Sequence, residues 1–263
     1  MARSPTNCAA CKEDQPIFPF TMAFQPIVDV QENRIDAHEA LVRGAGGEGA
    51  GTILLQVTGE NRYAFDQACR VKAIEMAARL GVESRLNINF LPNAVYEPRA
   101  CIRKTLDAAK RTGFPLDRLT FEFVEQEDIA DSAHLLAIVE EYRRHGFMVA
   151  LDDFGTGYSG LSRLAELKPD IIKLDRALVR NCDHDRVRLA IVASVMSLAA
   201  AIGIKVVVEG VERIGEVEAL RRVGGRYMQG FYFARPVFEG IARREDIPWL
   251  IKEPALAGRP AHP

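Results

Sequence analysis

Polar side chains stand late in seven short apolar segments of the chain, at positions where an unpaired charge would be costly to bury. The clearest case is a pair of adjacent carboxylates, Asp152 and Asp153, which follows the apolar residues 149–151. Each of the other six segments carries one polar group near its end. The complete set is Glu39, Asn89, Glu122, Asp152, Asp153, Lys173, Glu209 and Gln229.

The charge of this set indicates its chemistry. Five carboxylates in one place would repel each other, and some would stay protonated unless cations were bound among them. Oxygen ligands without nearby Cys or His favour hard cations such as Mg²⁺ or Mn²⁺. Two such ions about 3.5–4 Å apart suit in-line displacement at phosphorus. Adjacent aspartates allow one to bridge both ions, and Lys173 would add a positive charge beside a phosphate or the attacking water.

Each residue of the set also has a simpler interpretation. A single carboxylate at a strand end can cap a loop, Lys173 can be a salt-bridge partner, and Asn89 can hydrogen-bond its own turn. Asn87 lies on the same face of its strand as Asn89 and competes with it for a ligand role. Independent caps would not recur at strand after strand, so the set as a whole predicts a functional site.

The elements that would position these groups alternate along the chain. Short β-rich runs are separated mostly by segments of helical periodicity, roughly at 60–80, 99–111, 132–145, 186–202 and 213–223. The eight candidate strands are AFQPIVDV, IDAHEALVR, RLNINFL, LTFEFVE, MVALDD, DIIKLD, KVVVEG and YMQGFYF. This order predicts an α/β fold, a (β/α)8 TIM-like barrel, with an open doubly wound sheet as the alternative.

The connection between the first two strands departs from that scheme. Only QENR, residues 31–34, separates them, which is too short for a parallel crossover and is typical of a hairpin. We therefore expect one strand of the barrel to run antiparallel to its neighbour. The carboxyl ends of the parallel strands meet on one face, where barrel active sites lie, so the polar set would converge there.

Composition narrows the class of protein. The chain has 263 residues and a formal net charge of −2, so it has no global basic field to hold a nucleic acid polymer. The N-terminal residues contain no apolar run typical of a signal peptide. The most apolar segment, 189–204, is shorter than the ~20 residues that span a bilayer, and we interpret it as a buried helix leading into a strand. We expect a cytoplasmic protein that does not bind membranes.

The cysteines do not form a disulfide framework, because their number is odd and they are scattered. They are Cys8, Cys11, Cys69, Cys101 and Cys182. A reduced compartment is therefore expected. Cys8 and Cys11 form a lone CxxC without the second pair that a zinc site needs. A mobile terminus is the favoured interpretation, with a metal or redox role as the alternative.

The motifs that carry the polar set resemble those of the EAL domain family. HEALVRG, residues 38–44, is similar to the family's signature, and LNINFLP, FEFVE, DDFGTGYSGLSRL, IIKLD, VVVEGVE and MQGFYFARP follow in the family's order. The resemblance covers residues from about 20 to 250, and seven ordered motifs are far more specific than one EAL tripeptide. It divides the chain into an extension at 1–19 expected to be mobile, a phosphodiesterase barrel at 20–250, and a tail at 251–263 expected to be disordered.

EAL domains are bacterial phosphodiesterases for the second messenger cyclic di-GMP. The resemblance thus implies hydrolysis to linear 5′-pGpG with two divalent cations, Mg²⁺ or Mn²⁺, and inhibition by Ca²⁺. It implies that the first cation is held by Glu39, Asn89, Glu122 and Asp152. It implies that the second is held by the bridging Asp152 together with Asp153 and Glu209.

Further roles follow from the same resemblance. Lys173 would act in catalysis together with Asp152 and Glu209, beside the attacking water. The substrate would be contacted by Gln25 and Leu41 at the guanine-binding mouth, by Arg43 at a phosphate, and by Gln229, which would order the water or metal shell. A loop that couples homodimerisation to activity would include Glu125, Gly155 and Gly157.

Two departures from the family pattern leave the ligand positions intact. Gly160 stands where a serine is common, and FEFVE lacks the usual threonine before its last Glu. Two alternatives to the phosphodiesterase stay open. One is a cyclic di-GMP receptor that binds without cleaving, although such receptors usually lose part of the ligand set that this chain keeps. The other is a metal-dependent barrel enzyme that abstracts a proton, with Lys173 as base.

Overall fold

The computed structural model describes residues 18–124, 132–157 and 160–249. Cys8, Cys11 and Glu125 lie outside the described residues, as do most of the N-terminal extension and the C-terminal tail. The interpretations made for these parts of the chain stay predictions.

Eight strands close into a barrel around the candidate site. Their bounds are β1 Phe20–Asp29, β2 Arg34–Gly44, β3 Arg85–Asn89, β4 Leu119–Val124, β5 Met148–Phe154, β6 Ile171–Leu174, β7 Lys205–Val208 and β8 Tyr227–Met228. From β2 to β8 each strand pairs in parallel with the next. β1 closes the ring by pairing antiparallel with β2 and β8, and a further short strand, β9 (Val237–Phe238), pairs with β1 outside the ring. The predicted barrel and its antiparallel strand are confirmed.

The turn between β1 and β2 is stabilised locally. Asp29 Oδ1 accepts hydrogen bonds from the backbone N–H groups of Gln31 and Glu32, at 3.1 and 3.2 Å. Asn33 completes the turn with a φ of 48°, a left-handed conformation that Asn tolerates better than most residues. The carboxylate thus satisfies donors that a tight hairpin leaves unpaired, and the short connection predicted from the sequence forms as a hairpin.

The helices surround the barrel. Their bounds are α1 Ala50–Leu54, α2 Arg62–Arg79, α3 Pro98–Cys101, α4 Arg103–Thr112, α5 Ser132–Arg144, α6 Gly160–Leu167, α7 Arg176–Val179, α8 Arg186–Ile202 and α9 Ile214–Arg222, with 3-10 turns at Pro92–Ala94, Leu116–Arg118 and Arg244–Asp246. The five predicted helical segments are present, the second of them divided into α3 and α4. The short helices α1, α6 and α7 were not predicted, because four to eight residues show too little periodicity.

Helix α8 differs from the buried helix expected at 189–204. It packs on the barrel through Val192, Met196 and Ala199, but Ile191 and Ile202 are 42% and 51% exposed. The expectation of full burial was wrong because an uninterrupted apolar run does not reveal which of its faces lacks a partner. Among the described helices, none is long and apolar enough to cross a membrane.

Alternation along the strands separates two layers inside the barrel. The lower layer is apolar and consists of Ile27, Ala37, Ala150, Ile171 and Val207. Two residues further along each parallel strand, the next inward position carries a polar group, because side chains alternate between the faces of a strand. The larger apolar core lies between the outer face of the strands and the helices. The barrel thus presents its polar layer toward the carboxyl ends of the parallel strands.

Candidate active site

Lys173 lies at the centre of the polar layer and is only 1% exposed. Strand β6 places its Nζ within 4 Å of four carboxylates contributed by four other strands or strand ends. The distances from Nζ are 2.7 Å to Glu209, 2.8 Å to Glu122, 3.2 Å to Asp152 and 3.3 Å to Glu39. A buried ammonium is stable only if it is paired in this way.

Glu39 is fixed by amide groups as well as by the lysine. Its Oε1 accepts a hydrogen bond from Asn89 Nδ2 at 2.9 Å, and its Oε2 accepts one from Gln229 Nε2 at 2.8 Å. Gln229 also donates to Gln25 Oε1 at 3.1 Å, and Gln25 donates to the carbonyl of Ala234 at 3.0 Å. Asn89 and Gln229 thus each orient one oxygen of Glu39. The structure brings together four residues that were predicted to belong to the site: Gln25, Glu39, Asn89 and Gln229.

Asn87, which competed with Asn89 for a ligand role, has a different partner. Its Nδ2 donates to Glu122 Oε1 at 2.6 Å, and both residues are almost fully buried. Asn89 is the next inward residue on β3 and lies nearer the open end of the barrel. The geometry therefore makes Asn87 an orienting partner of Glu122 and leaves Asn89 beside Glu39, in the wall of an adjoining apolar cavity.

Two groups of carboxylates have oxygen atoms within 4.8 Å of one another, close enough to share a cation. One group is Glu39, Glu122 and Asp152, and the other is Asp152, Asp153 and Glu209. Asp152 belongs to both. Asp153 has a φ of 54°, and its backbone N–H donates to Asp152 Oδ1 at 2.9 Å. This left-handed conformation is uncommon for a non-glycine residue. At Asp153 it interrupts the alternation of the strand, so the carboxylates of Asp152 and Asp153 both lie near Glu209.

The carboxylates differ in how their pKa values respond to the site. Burial raises the pKa of Glu122 to about 8, reinforced by Glu39 and Asp152 and opposed by Lys173. Burial and the neighbouring Asp152 raise the pKa of Asp153 to about 6. Burial also acts on Glu39, but the charge of Lys173 and the hydrogen bonds from Gln229 and Asn89 outweigh it and lower its pKa.

The donor set fits divalent cations. Five carboxylates and one lysine carry four net negative charges when all are ionised, and two divalent cations would balance that charge. The carboxylates are buried or half-buried, and their donors are oxygen atoms, which hard cations prefer. No Cys or His belongs to either carboxylate group of the described residues.

A cleft of about 270 Å³ opens above these carboxylates. Its walls include three partly exposed residues that were not predicted from the sequence, Arg176, Glu212 and Phe231. Arg176 pairs with Glu212 at 2.8 Å, and the guanidinium of Arg235 stacks on Phe231 with 4.2 Å to the ring centroid. Glu212 and Phe231 lie inside the quoted motifs VVVEGVE and MQGFYFARP, but nothing in their pattern distinguished them from surface residues.

Leu41 and Arg43 follow Glu39 on β2 but lie outside the carboxylate network. Leu41 lines a second, mostly apolar cavity of about 340 Å³ that shares Glu39 and Asn89 with the site. Arg43 donates to the carbonyl of Val42 at 2.7 Å. Leu41 thus lies beside the site. Burial lowers the pKa of Arg43 and the charge of Glu39 opposes that shift, so the Arg43 side chain lies within electrostatic reach of Glu39.

The turn after β5 contains the two glycines predicted to belong to a coupling loop. Gly155 has a φ of 101°, and a Cβ there would lie 2.4 Å from Leu178 Cδ1. The positive φ favours glycine, and any larger residue would also have to displace the end of the Leu178 side chain. Gly157 follows in the same turn, and helix α6 begins three residues later. The glycines therefore connect the Asp152–Asp153 pair to the start of α6.

The chain belongs to the EAL domain family, whose model matches residues 19–236. A crystal structure of a standalone versatile EAL protein from Vibrio cholerae O395 with c-di-GMP bound is 49% identical. It covers 86% of this chain and 95% of that one, with a TM-score of 0.83. The manganese and cyclic di-GMP complex of Klebsiella pneumoniae BlrP1 is 36% identical, covering 87% of this chain and 59% of that one, with a TM-score of 0.81.

Curated relatives are longer than this chain. The bifunctional diguanylate cyclase and cyclic di-GMP phosphodiesterase MucR of Pseudomonas aeruginosa is 31% identical over 176 residues, which is 66% of this chain and 25% of that protein. Other curated relatives are matched over 16% to 55% of their length. The similarity is therefore to one domain of those proteins.

Proposed function

We propose that the chain is a cyclic di-GMP phosphodiesterase that hydrolyses one phosphodiester bond to give linear 5′-pGpG. The observation that carries the proposal is the buried ring of carboxylates around Lys173, with two groups that meet at Asp152. This ring of carboxylates fits two divalent cations, Mg²⁺ or Mn²⁺. The chain belongs to the EAL domain family, and one of the solved structures similar to it is a manganese and cyclic di-GMP complex.

Each residue has a role in this proposal. The first cation would be held by Glu39, Asn89, Glu122 and Asp152. The second would be held by Asp152, Asp153 and Glu209. When bound, the cations would polarise the scissile phosphate, lower the pKa of the attacking water and stabilise the leaving 3′-oxygen. Lys173 holds a positive charge at the centre of the site, Gln229 orients Glu39, and Arg43 offers a forked donor to the second phosphate.

The alternative of proton abstraction by Lys173 is disfavoured by the electrostatics of the site. Burial alone would lower the pKa of Lys173, but four carboxylates led by Asp152 and Glu122 raise it well above its usual value. An ammonium held protonated in this way donates hydrogen bonds and is a poor base at neutral pH. The receptor alternative keeps the same site and differs only in turnover, so it becomes an outcome of the test.

The first test is hydrolysis of cyclic di-GMP by the purified protein with Mg²⁺, Mn²⁺, Ca²⁺ or EDTA, followed by chromatography of the product. We expect linear pGpG with Mg²⁺ or Mn²⁺, and intact substrate with EDTA or Ca²⁺. Binding of cyclic di-GMP without cleavage under all conditions would overturn the enzyme and favour a receptor.

Variants of the site sharpen this test. We expect Glu39→Ala, Asp152→Asn and Glu209→Ala to abolish turnover, since the two alanine variants each remove a cation ligand and Asp152→Asn removes the negative charge of the bridging one. A matched control is Glu141→Ala on α5, which removes a glutamate of similar burial from the outside of the barrel. Wild-type turnover by any of the three site variants would refute the assignment of that residue.

We further propose a homodimer that packs through α6 and α8. Leu161, Leu198 and Ile202 line a groove of about 520 Å³ between these helices, and Leu161 is 66% exposed. The α8 side of this groove has no charged residue from 189 to 204, while Lys168 and Asp170 lie in its opposite wall, so two copies could bury the apolar part of this face symmetrically. Light scattering should give the dimer mass for wild type and the monomer mass for Leu161→Glu. A wild-type monomer at micromolar concentration would refute the proposal.

A further inference from the structure

Helix α2 buries charged and polar side chains on the face that it turns toward the barrel. Asp66 is 2% exposed, Gln67 is 1% exposed and Arg70 is fully buried, although none of them reaches the candidate cation site. A buried ion pair is seldom more stable than a well-packed apolar replacement. The presence of this pair therefore calls for a role other than stability.

The pair is tied to the backbone at the end of β3. Asp66 Oδ1 accepts a hydrogen bond from the backbone N–H of Leu91 at 2.9 Å. Asp66 Oδ2 lies 2.7 Å from Arg70 Nη2. Leu91 is two residues past Asn89, which donates to Glu39 at the site. Asp66 thus fixes the chain immediately after a proposed cation ligand.

Arg70 contacts aromatic residues at the ends of β3 and β4. Its guanidinium lies over the rings of Phe90, Phe121 and Tyr142, with its central carbon 5.2, 5.3 and 5.7 Å from their centroids, and Nη1 donates to the hydroxyl of Tyr142. Phe90 follows Asn89 on the chain, and Phe121 precedes Glu122.

Strand alternation therefore places Arg70 directly behind two inward-facing residues of the site. The backbone N–H of Phe90 donates to the carbonyl of Glu122 at 2.9 Å, so β3 and β4 are joined at this level. We propose that Asp66 and Arg70 are positioning residues, which hold the ends of β3 and β4 so that Asn89 and Glu122 meet the first cation. This inference rests on the proposed cation site.

The test is a titration of the metal-free protein with Mn²⁺ alone, followed by electron paramagnetic resonance of the unbound ion. Asp66→Asn keeps the shape of the side chain but removes the charge that pairs with Arg70. We expect its Mn²⁺ affinity to fall about tenfold or more, as is common when a group that orients a metal ligand is changed. Circular dichroism at the assay temperature establishes that the variant is folded.

The matched control is Asp29→Asn. Asp29 is equally buried, pairs with Arg226 at 2.7 Å and accepts backbone N–H groups, but it lies at the opposite end of the barrel. A purely structural role of Asp66 would lower stability in both variants and leave the Mn²⁺ affinity of both unchanged, which would overturn the inference.

A milder variant keeps the inference testable if Asp66→Asn does not fold. Tyr142→Phe removes only the hydroxyl that accepts a hydrogen bond from Arg70. We expect the Mn²⁺ affinity of this variant to be lower than that of wild type, as for Asp66→Asn. Wild-type affinity in Tyr142→Phe would then overturn the inference. The two proposals fail separately. A wild type that binds Mn²⁺ without cleaving cyclic di-GMP refutes the phosphodiesterase alone, and unchanged affinity in the variants refutes the positioning role alone.

Discussion

Replacement of Lys173 by methionine tests the electrostatics of the site most directly. The variant keeps the side chain up to the position of Cε and removes the only cation that contacts Glu39, Glu122, Asp152 and Glu209 in the described residues. Breaking a buried ion pair costs about 3–5 kcal/mol. We expect the lower end, because carboxylates with raised pKa values can take up protons.

That free energy corresponds to a measurable change in melting temperature. For a domain of this size, 1 kcal/mol shifts the melting temperature by about 2–4 °C, so Lys173→Met should melt roughly 6–12 °C below wild type in EDTA. Saturating Mn²⁺ should raise the melting temperature of the variant more than that of wild type, because the cation replaces the lost charge and binds only the folded state. Differential scanning calorimetry with and without Mn²⁺ measures both effects.

A second lysine provides the control. Lys205 is partly buried, whereas Lys173 is almost fully buried, and it pairs with Asp36 at the opposite end of the barrel. Lys205→Met should lose less stability and should respond to Mn²⁺ as wild type does. An equal loss in the two variants, or a smaller Mn²⁺ response in Lys173→Met than in wild type, would refute the assignment of Lys173 as the compensating charge of the site.

Three further perturbations follow from the structure. In EDTA the folded chain keeps a proton on Glu122, whose pKa is raised from 4.5 to about 8, while the unfolded chain has released it. Glu122 alone should therefore lower the free energy of unfolding by up to about 2 kcal/mol between pH 6.5 and 8, and Glu209, whose pKa burial also raises, should add to this fall. His38, whose pKa burial lowers to about 4, makes stability rise with pH only below this window. Melting temperatures that rise with pH in this window would contradict the argument. Phe231→Leu should raise the KM for cyclic di-GMP about fivefold or more with little change in kcat, because the ring backed by Arg235 offers a stacking surface for a base, and an unchanged KM would exclude that contact. Gly230→Ala should lose activity, since its Cβ would lie 2.0 Å from a backbone carbonyl oxygen of the loop after β7, and normal turnover would show that this loop can move aside.

The alternation of strand side chains made most of the barrel predictable. Most inward positions on the parallel strands carry either small and branched apolar residues or the polar set, as in Ala150 followed by Asp152 and Ile171 followed by Lys173. Since this period of two residues is visible in the sequence, the strands, their shared face and the convergence of the carboxylates were all accessible without coordinates. The short loop of the first hairpin likewise fixed the one reversed strand.

Other features depend on packing between elements that are distant along the chain. Both asparagines of β3 face inward, and only the contact of Asn87 with Glu122 separates their roles. The exposure of Ile202 on α8 depends on where neighbouring helices end, and the apolar run gave no sign of it. Phe231 lies in the irregular segment after β8, where the sequence shows no periodicity from which its position at the cleft could be predicted. Tertiary contacts decide such questions, and local patterns do not.

The outer face of the same strands links the site to the core. Each inward ligand on β3 and β4 has outward neighbours, such as Phe90 and Phe121, that pack around Arg70. Because successive residues alternate, a ligand cannot shift without moving the residue behind it. Changes in the buried face of α2 should therefore alter cation affinity even though they touch no ligand.

The charge of the site links cation binding to protons in a similar way. With four excess negative charges, the metal-free protein can balance the site only by keeping protons on groups such as Glu122 and Glu209, whose pKa values burial raises. Divalent cations would compete with those protons, so their affinity should increase with pH and their binding should release protons. Cation binding would therefore drive the ionisation of Glu122 and Glu209, the carboxylates that are hardest to ionise in the metal-free protein.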